Sequence, residues 1–192
     1  TRLMMLKTSK QVRTQVPAQL LEVLTQRKPN IYVNLMRDMR EETPLRIQII
    51  KMETRDHRTR LGHCPGVTLD MLTEGALALT PEEHRRMQGF ADRLIRDLEG
   101  TVKLELQSPA GTRLLLSAKE RPFFTDTKLD WKTMKWINLP TGEVMVAPLE
   151  DSLTGRLVCD MAIGGIGPIK TPLEITAKNG KAEKITCKDK DV

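Results

Sequence analysis

The chain has 192 residues and carries 31 Lys and Arg against 25 Asp and Glu, a net charge of +6 at pH 7. That length suits one domain, or one and part of another. No stretch approaches the roughly 20 apolar residues of a membrane helix, and no signal-peptide pattern stands at Thr1. Aromatics are only 3% of the chain, so a core must rest on Leu, Ile, Val and Met. The basic clusters at residues 55–60 and at His84-Arg85-Arg86 have no stacking aromatics beside them, which argues for solvated faces and against nucleic acid as a partner. The three cysteines, Cys64, Cys159 and Cys187, are odd in number and show no CxxC spacing. They read as free thiols of a reducing, cytoplasmic setting.

In chain order, residues 2–6 read as a buried strand. Residues 14–26 read as a helix, with Pro17 in its first turn and Leu20, Leu21 and Leu24 on one face. Pro29 breaks the chain, and residues 31–36 form a strand apolar enough to be buried on both faces. Thr43-Pro44 opens a second helix whose apolar positions are Leu45, Ile47, Ile50 and Met52. Residues 58–61 suit a short strand and His63-Cys64-Pro65-Gly66 a loop. Thr68 is placed to cap a helix over residues 69–74. Thr80-Pro81-Glu82-Glu83 is a capping box, and the helix behind it carries Met87, Phe90, Ala91, Leu94, Ile95 and Leu98 at helical spacing before Gly100 ends it.

After Gly100 the pattern turns to β. Val102, Leu104 and Leu106 alternate with polar residues, Pro109-Ala110-Gly111 turns the chain, and residues 113–118 return as a second arm. Residues 119–137 look irregular. Residues 156–163 form a strand, and Asn179-Gly180 joins a hairpin between residues 173–177 and 182–187. The expected fold is α/β: a partly parallel sheet flanked by helices over residues 1–100, then a mostly antiparallel β region over residues 101–192.

Glu143 is the foremost candidate for chemistry. It follows the turn Leu139-Pro140-Thr141-Gly142, which fixes the backbone and presents a carboxylate to a divalent cation. On residue spacing alone the favoured reading is a solvated Glu at a strand start, since a single carboxylate carries no unique motif. His57, His63 and His84 lie on different elements and do not make a zinc site. A Cys64–His nucleophilic pair is less suited to this sequence than a turn at Pro65-Gly66. Gly164-Gly165-Ile166-Gly167 lacks the spacing of a phosphate loop and reads as a turn. Glu150-Asp151-Ser152 reads as a turn or cap.

Several blocks carry a family resemblance. Glu42-Thr43-Pro44-Leu45-Arg46, residues 62–72 from Gly62-His63-Cys64-Pro65-Gly66 onward, Leu139-Pro140-Thr141-Gly142-Glu143-Val144, and Glu150-Asp151-Ser152 through Gly167 together resemble the thermophilic metallo-aminopeptidases of the aminopeptidase T, or leucyl aminopeptidase-like, type. The likeness runs over most of residues 30–186. It implies an amino-terminal α/β domain and a catalytic domain holding two divalent ions (zinc, cobalt or magnesium) with two Glu, two His, one Tyr and one Asp. Of these ligands only the first Glu falls on this chain, as Glu143; His63 matches none. The resemblance thus implies a middle piece of a cytoplasmic, homodimeric hydrolase acting on peptides, inactive alone and weak in metal binding, with catalytic residues not assigned. Two alternatives stand beside it. One is a ring-opening dioxygenase lineage for hydroxylated pyridines that uses one ferrous iron and is similar to these peptidases. The other is a non-catalytic module for dimerisation or binding.

Overall fold

The computed structural model describes residues 12–26, 29–37, 40–55, 58–130, 132, 134–164 and 166–189. The strand expected at residues 2–6 lies outside them, as do His57 and Gly165. In chain order the elements are α1 (Ala18–Gln26), β1 (Ile31–Met36), a 3-10 turn (Arg40–Glu42), α2 (Thr43–Thr54), β2 (Arg60–Pro65), α3 (Leu69–Thr73) and α4 (Pro81–Leu98). There follow β3 (Lys103–Gln107), β4 (Arg113–Ser117), β5 (Phe124–Thr125), β6 (Trp136–Asn138), β7 (Val144–Met145) and β8 (Thr154–Cys159). The last four are β9 (Ala162–Ile163), β10 (Gly167–Pro168), β11 (Leu173–Lys178) and β12 (Lys181–Cys187). The fold is mixed α/β, with one parallel sheet and several antiparallel ones.

The chain divides into two units, residues 1–88 with 126–142, and residues 89–125 with 143–192. It therefore passes between them three times: inside α4, after Thr125 and after Gly142. A single boundary near Gly100 does not describe this. Residues 136–138, the first two of them irregular by sequence, pair with β2 and belong to the first unit.

In the first unit β1, β2 and β6 form a parallel sheet with β2 in the centre. Helix α2 provides the β1–β2 crossover, and parallel pairing requires such a connection. Leu20 and Leu24 of α1 meet Leu45 and Ile49 of α2 in the core, with Val16, Tyr32, Met36 and Met52 packed around them. Each such aliphatic side chain contributes roughly 1.5–3 kcal/mol when fully buried. The inward stripe of α2 is thus Leu45 and Ile49, while Ile47 is exposed. Gly62 lets Leu139 close over β2, because a Cβ there would stand 2.9 Å from Leu139 Cδ1. Pro140 follows in a cis peptide.

The capping box at α4 is realised. Thr80 donates its backbone N–H and its hydroxyl to Glu83 Oε2, and the Glu83 N–H returns a bond to Thr80 Oγ1. Those bonds, the backbone one foremost, hold the Glu83 carboxyl below its ordinary range. At α3 Thr68 stands at the N-cap without a side-chain bond, so its capping role is not taken up.

The second unit is built on a five-stranded antiparallel sheet in the order β12-β11-β8-β4-β3. Asn179 and Gly180 both take positive φ at the β11–β12 turn, as a tight hairpin of this handedness demands. Ile163 and Gly167 pair across the small β9–β10 hairpin, where Ile166 N–H donates to Ile163 O. Ser152 bonds the Leu149 carbonyl and receives the Ser117 N–H, which makes it a turn-former.

Candidate functional site

The polar residues gathered most tightly lie at the carboxyl end of the parallel sheet. Asn34 of β1, His63 of β2 and Asn138 of β6 stand in one cross-strand row. Residues paired across neighbouring strands share a face, so the row places three polar side chains side by side. His63-Cys64-Pro65 was expected in a loop. It is strand instead, because β2 has partners on both sides.

His63 is 1% exposed and sits in a fixed set of contacts. Its Nδ1 lies 2.7 Å from Asn34 Oδ1, and the Nε–H of Arg46 donates to its Nε2 at 3.3 Å. A guanidinium only donates. Nε2 must therefore accept, and Nδ1 must carry the proton given to Asn34. Asn34 Oδ1 also accepts the Cys64 N–H at 3.3 Å, which leaves the buried Asn34 Nδ2 without a partner. The Trp136 ring meets the imidazole edge-on, at 6.2 Å between centroids. Burial first, and the Arg46 charge second, press the His63 pKa below its ordinary value, so the ring is neutral.

The 3-10 turn after β1 carries a second buried polar group, the carboxylate of Glu42. It is 3% exposed and accepts from Arg37 Nη2 at 2.6 Å, from Arg37 Nε at 3.3 Å and from the Arg13 backbone N–H at 3.0 Å. The Arg37 bond is the largest reason its carboxyl lies below the usual range. Cys64 is fully buried, and burial pushes its thiol pKa up. It follows His63 directly in the strand, so the two side chains point to opposite faces. A nucleophilic pair between them is ruled out by that geometry.

Glu143 is exposed and stands just before β7, its carbonyl accepting the Thr125 hydroxyl at 2.8 Å. The turn before it is indeed anchored, since Gly142 donates its N–H to the buried Asp126 at 2.9 Å. Yet among the described residues no group of three His, Cys, Asp or Glu could hold a metal ion. His63 cannot serve, because its one lone pair already faces the Arg46 N–H. The described residues thus do not fit a metal centre, whether of two ions or of a single iron. Sequence reasoning missed Asn34, Arg46 and Asp126. The first two did leave a trace: a lone Asn inside an apolar strand, and an Arg one helical turn after Glu42.

No family model matches the chain, and no curated protein matches it. Among solved structures it resembles 2,5-dihydroxypyridine dioxygenase from Pseudomonas putida KT2440, with a TM-score of 0.55 and 19% identity over 84% of this chain. The two share a fold. The chain spans 44% of that structure's length. This overturns the expectation of a metallo-aminopeptidase: the similar structure is an oxidoreductase, not a hydrolase, and nothing else supports peptide hydrolysis. Among the described residues no helix is long and apolar enough to cross a membrane.

Proposed function

We propose that the chain is the supporting α/β portion of a dioxygenase that acts on a hydroxylated aromatic ring of the pyridine type. The shared fold with 2,5-dihydroxypyridine dioxygenase over 84% of the chain carries the reading. Iron, when bound, would supply dioxygen activation. The described residues hold no complete ligand set, so the iron would draw ligands from beyond them.

The chain's own contribution is positional. The Asn34–His63–Arg46 set ties β1, β2 and α2 together at the carboxyl end of the parallel strands. That end is where open α/β sheets present their ligands. A neutral, doubly bonded His63 holds this edge still without acting as acid or base.

The deciding experiment uses the protein expressed from its natural reading frame, loaded anaerobically with ferrous iron. On admission of oxygen, 2,5-dihydroxypyridine should lose its ring absorbance in step with oxygen uptake. The 192-residue chain alone should consume none. Absence of uptake with every dihydroxypyridine isomer would remove the reading.

A further inference from the structure

The sequence scatters its cations among acids, but the second unit gathers them. Pairing register places Lys103, Arg113, Arg156, Lys178, Lys181 and Lys184 on one face of the β12-β11-β8-β4-β3 sheet. All six residues are exposed. Alternation is the cause: strand neighbours point to opposite faces, so cations at every second position accumulate on one side. The opposite face receives Leu104, Leu106, Leu114, Leu157, Ile175 and Ile185 by the same rule.

Among the described strand residues given a face by pairing, two carboxylates share the cationic one. Glu174 is engaged by Arg156 at 2.7 Å, and Glu105 accepts from Gln107 at 2.6 Å. Arg113 stands directly opposite Arg156, so two cationic residues are cross-strand neighbours at the centre. Like charges directly opposite one another weaken a sheet. Glu174 already offsets the Arg156 charge, so an anionic partner would act chiefly on Arg113. Neighbouring strands lie about 4.8 Å apart, so the cross-strand pairs Arg113–Arg156 and Lys178–Lys181 each sit within about a Debye length.

We propose that this face docks an acidic protein segment. The charge of the face calls for an anion. The five strands contain no aromatic residue, so the stacking platform typical of single-stranded nucleic-acid surfaces is missing. The rows of Lys and Arg match carboxylates alternating along an extended peptide.

The test is fluorescence anisotropy of a labelled twelve-residue Glu-Ala repeat, titrated with the chain at about 50 mM salt. The Arg113→Glu, Lys184→Glu pair should weaken binding by about tenfold or more. The Arg85→Glu, Arg86→Glu pair on exposed α4 positions changes the net charge equally and should shift it by less than about twofold. Should the first pair melt early, Lys178→Gln with Lys181→Gln at the hairpin end takes its place and should also weaken binding while the control does not. Equal loss in sheet and helix variants would reduce the effect to overall charge and overturn the proposal. So would a duplex DNA probe that binds more tightly than the peptide and loses affinity in the sheet variant.

Discussion

The Nε of Arg46 stands 3.3 Å from Nε2 of His63, with Asn34 Oδ1 2.7 Å from the other ring nitrogen. A second proton on this ring would face the guanidinium and break the bond. Burial and Arg46 both lower the folded pKa, while the unfolded chain keeps a value near about 6.5. Below that value the unfolded state binds more protons than the folded one. The stability from neutral His63 is therefore complete above about pH 6.5 and is lost as pH falls toward the depressed folded value. Urea midpoints across pH 7.5 to 5 should fall in the wild type. His63→Gln should flatten this window, at a cost of about 1–3 kcal/mol at neutral pH from the polar groups left unpaired. A His63→Gln profile parallel to wild type would show that the ring does not titrate with folding.

Glu42 gives a second acid-sensitive contact in a lower window. Its carboxylate is bound by Arg37 and by the Arg13 backbone, and its folded pKa is depressed. Stability from this group is present above its ordinary value of about 4.3 and is lost as pH falls through the folded pKa. Glu42→Gln keeps the shape but weakens the Arg37 bonds. It should cost about 1–2 kcal/mol, the low end for a charged pair because Arg37 is partly exposed to water. Denaturation at pH 7 and pH 3 separates the effects: the difference between variant and wild type should shrink at the lower pH.

Gly155 sits in β8 with φ of +127°, and a Cβ there would collide with the carbonyl oxygen of Arg113 on β4. Backbone, unlike a side-chain tip, cannot step aside without parting the strands. Gly155→Ala should thus destabilise the second unit by about 2 kcal/mol or more. Hydrogen exchange would locate the loss on β4 and β8 amides. Unchanged protection there would mean the sheet absorbs a side chain that its geometry has no room for.

Local features were legible in the sequence. Thr80 and Glu83 close a box within four residues, Gly100 ends α4 at positive φ, and Asn179-Gly180 makes a turn between its own neighbours. What was lost depends on contacts far along the chain. His63 and Cys64 read as a loop because Pro65-Gly66 follows them, yet β1 and β6 hold both sides of that segment as strand. Trp136 and Ile137 suit a strand by type, but three residues are too few to read as one, and pairing with β2 makes them so. The candidate site is less legible. Glu143 stands out for the turn before it, but a turn fixes only the backbone, and among the described residues no group of three His, Cys, Asp or Glu accompanies it. Asn34 and Arg46 become meaningful only once α2 crosses from β1 to β2.

Glu143 itself can be tested apart from any activity. A hard cation needs several oxygen or nitrogen donors at once, and a single exposed carboxylate in water competes poorly with hydration. Titration of the 192-residue chain with zinc or with ferrous iron under argon should show no stoichiometric heat, and apparent affinity no better than about 1 mM, the weak end for oxygen-ligand sites. Glu143→Ala should leave both curves unchanged. A saturable site of one ion per chain that disappears in Glu143→Ala would mean the turn at Pro140 to Gly142 delivers the carboxylate to further ligands, and the metal would then have to be placed on this chain. Calorimetry with the two metals side by side also shows whether any residual binding follows thiol-preferring zinc, which would point to Cys159 or Cys187 rather than to the carboxylate.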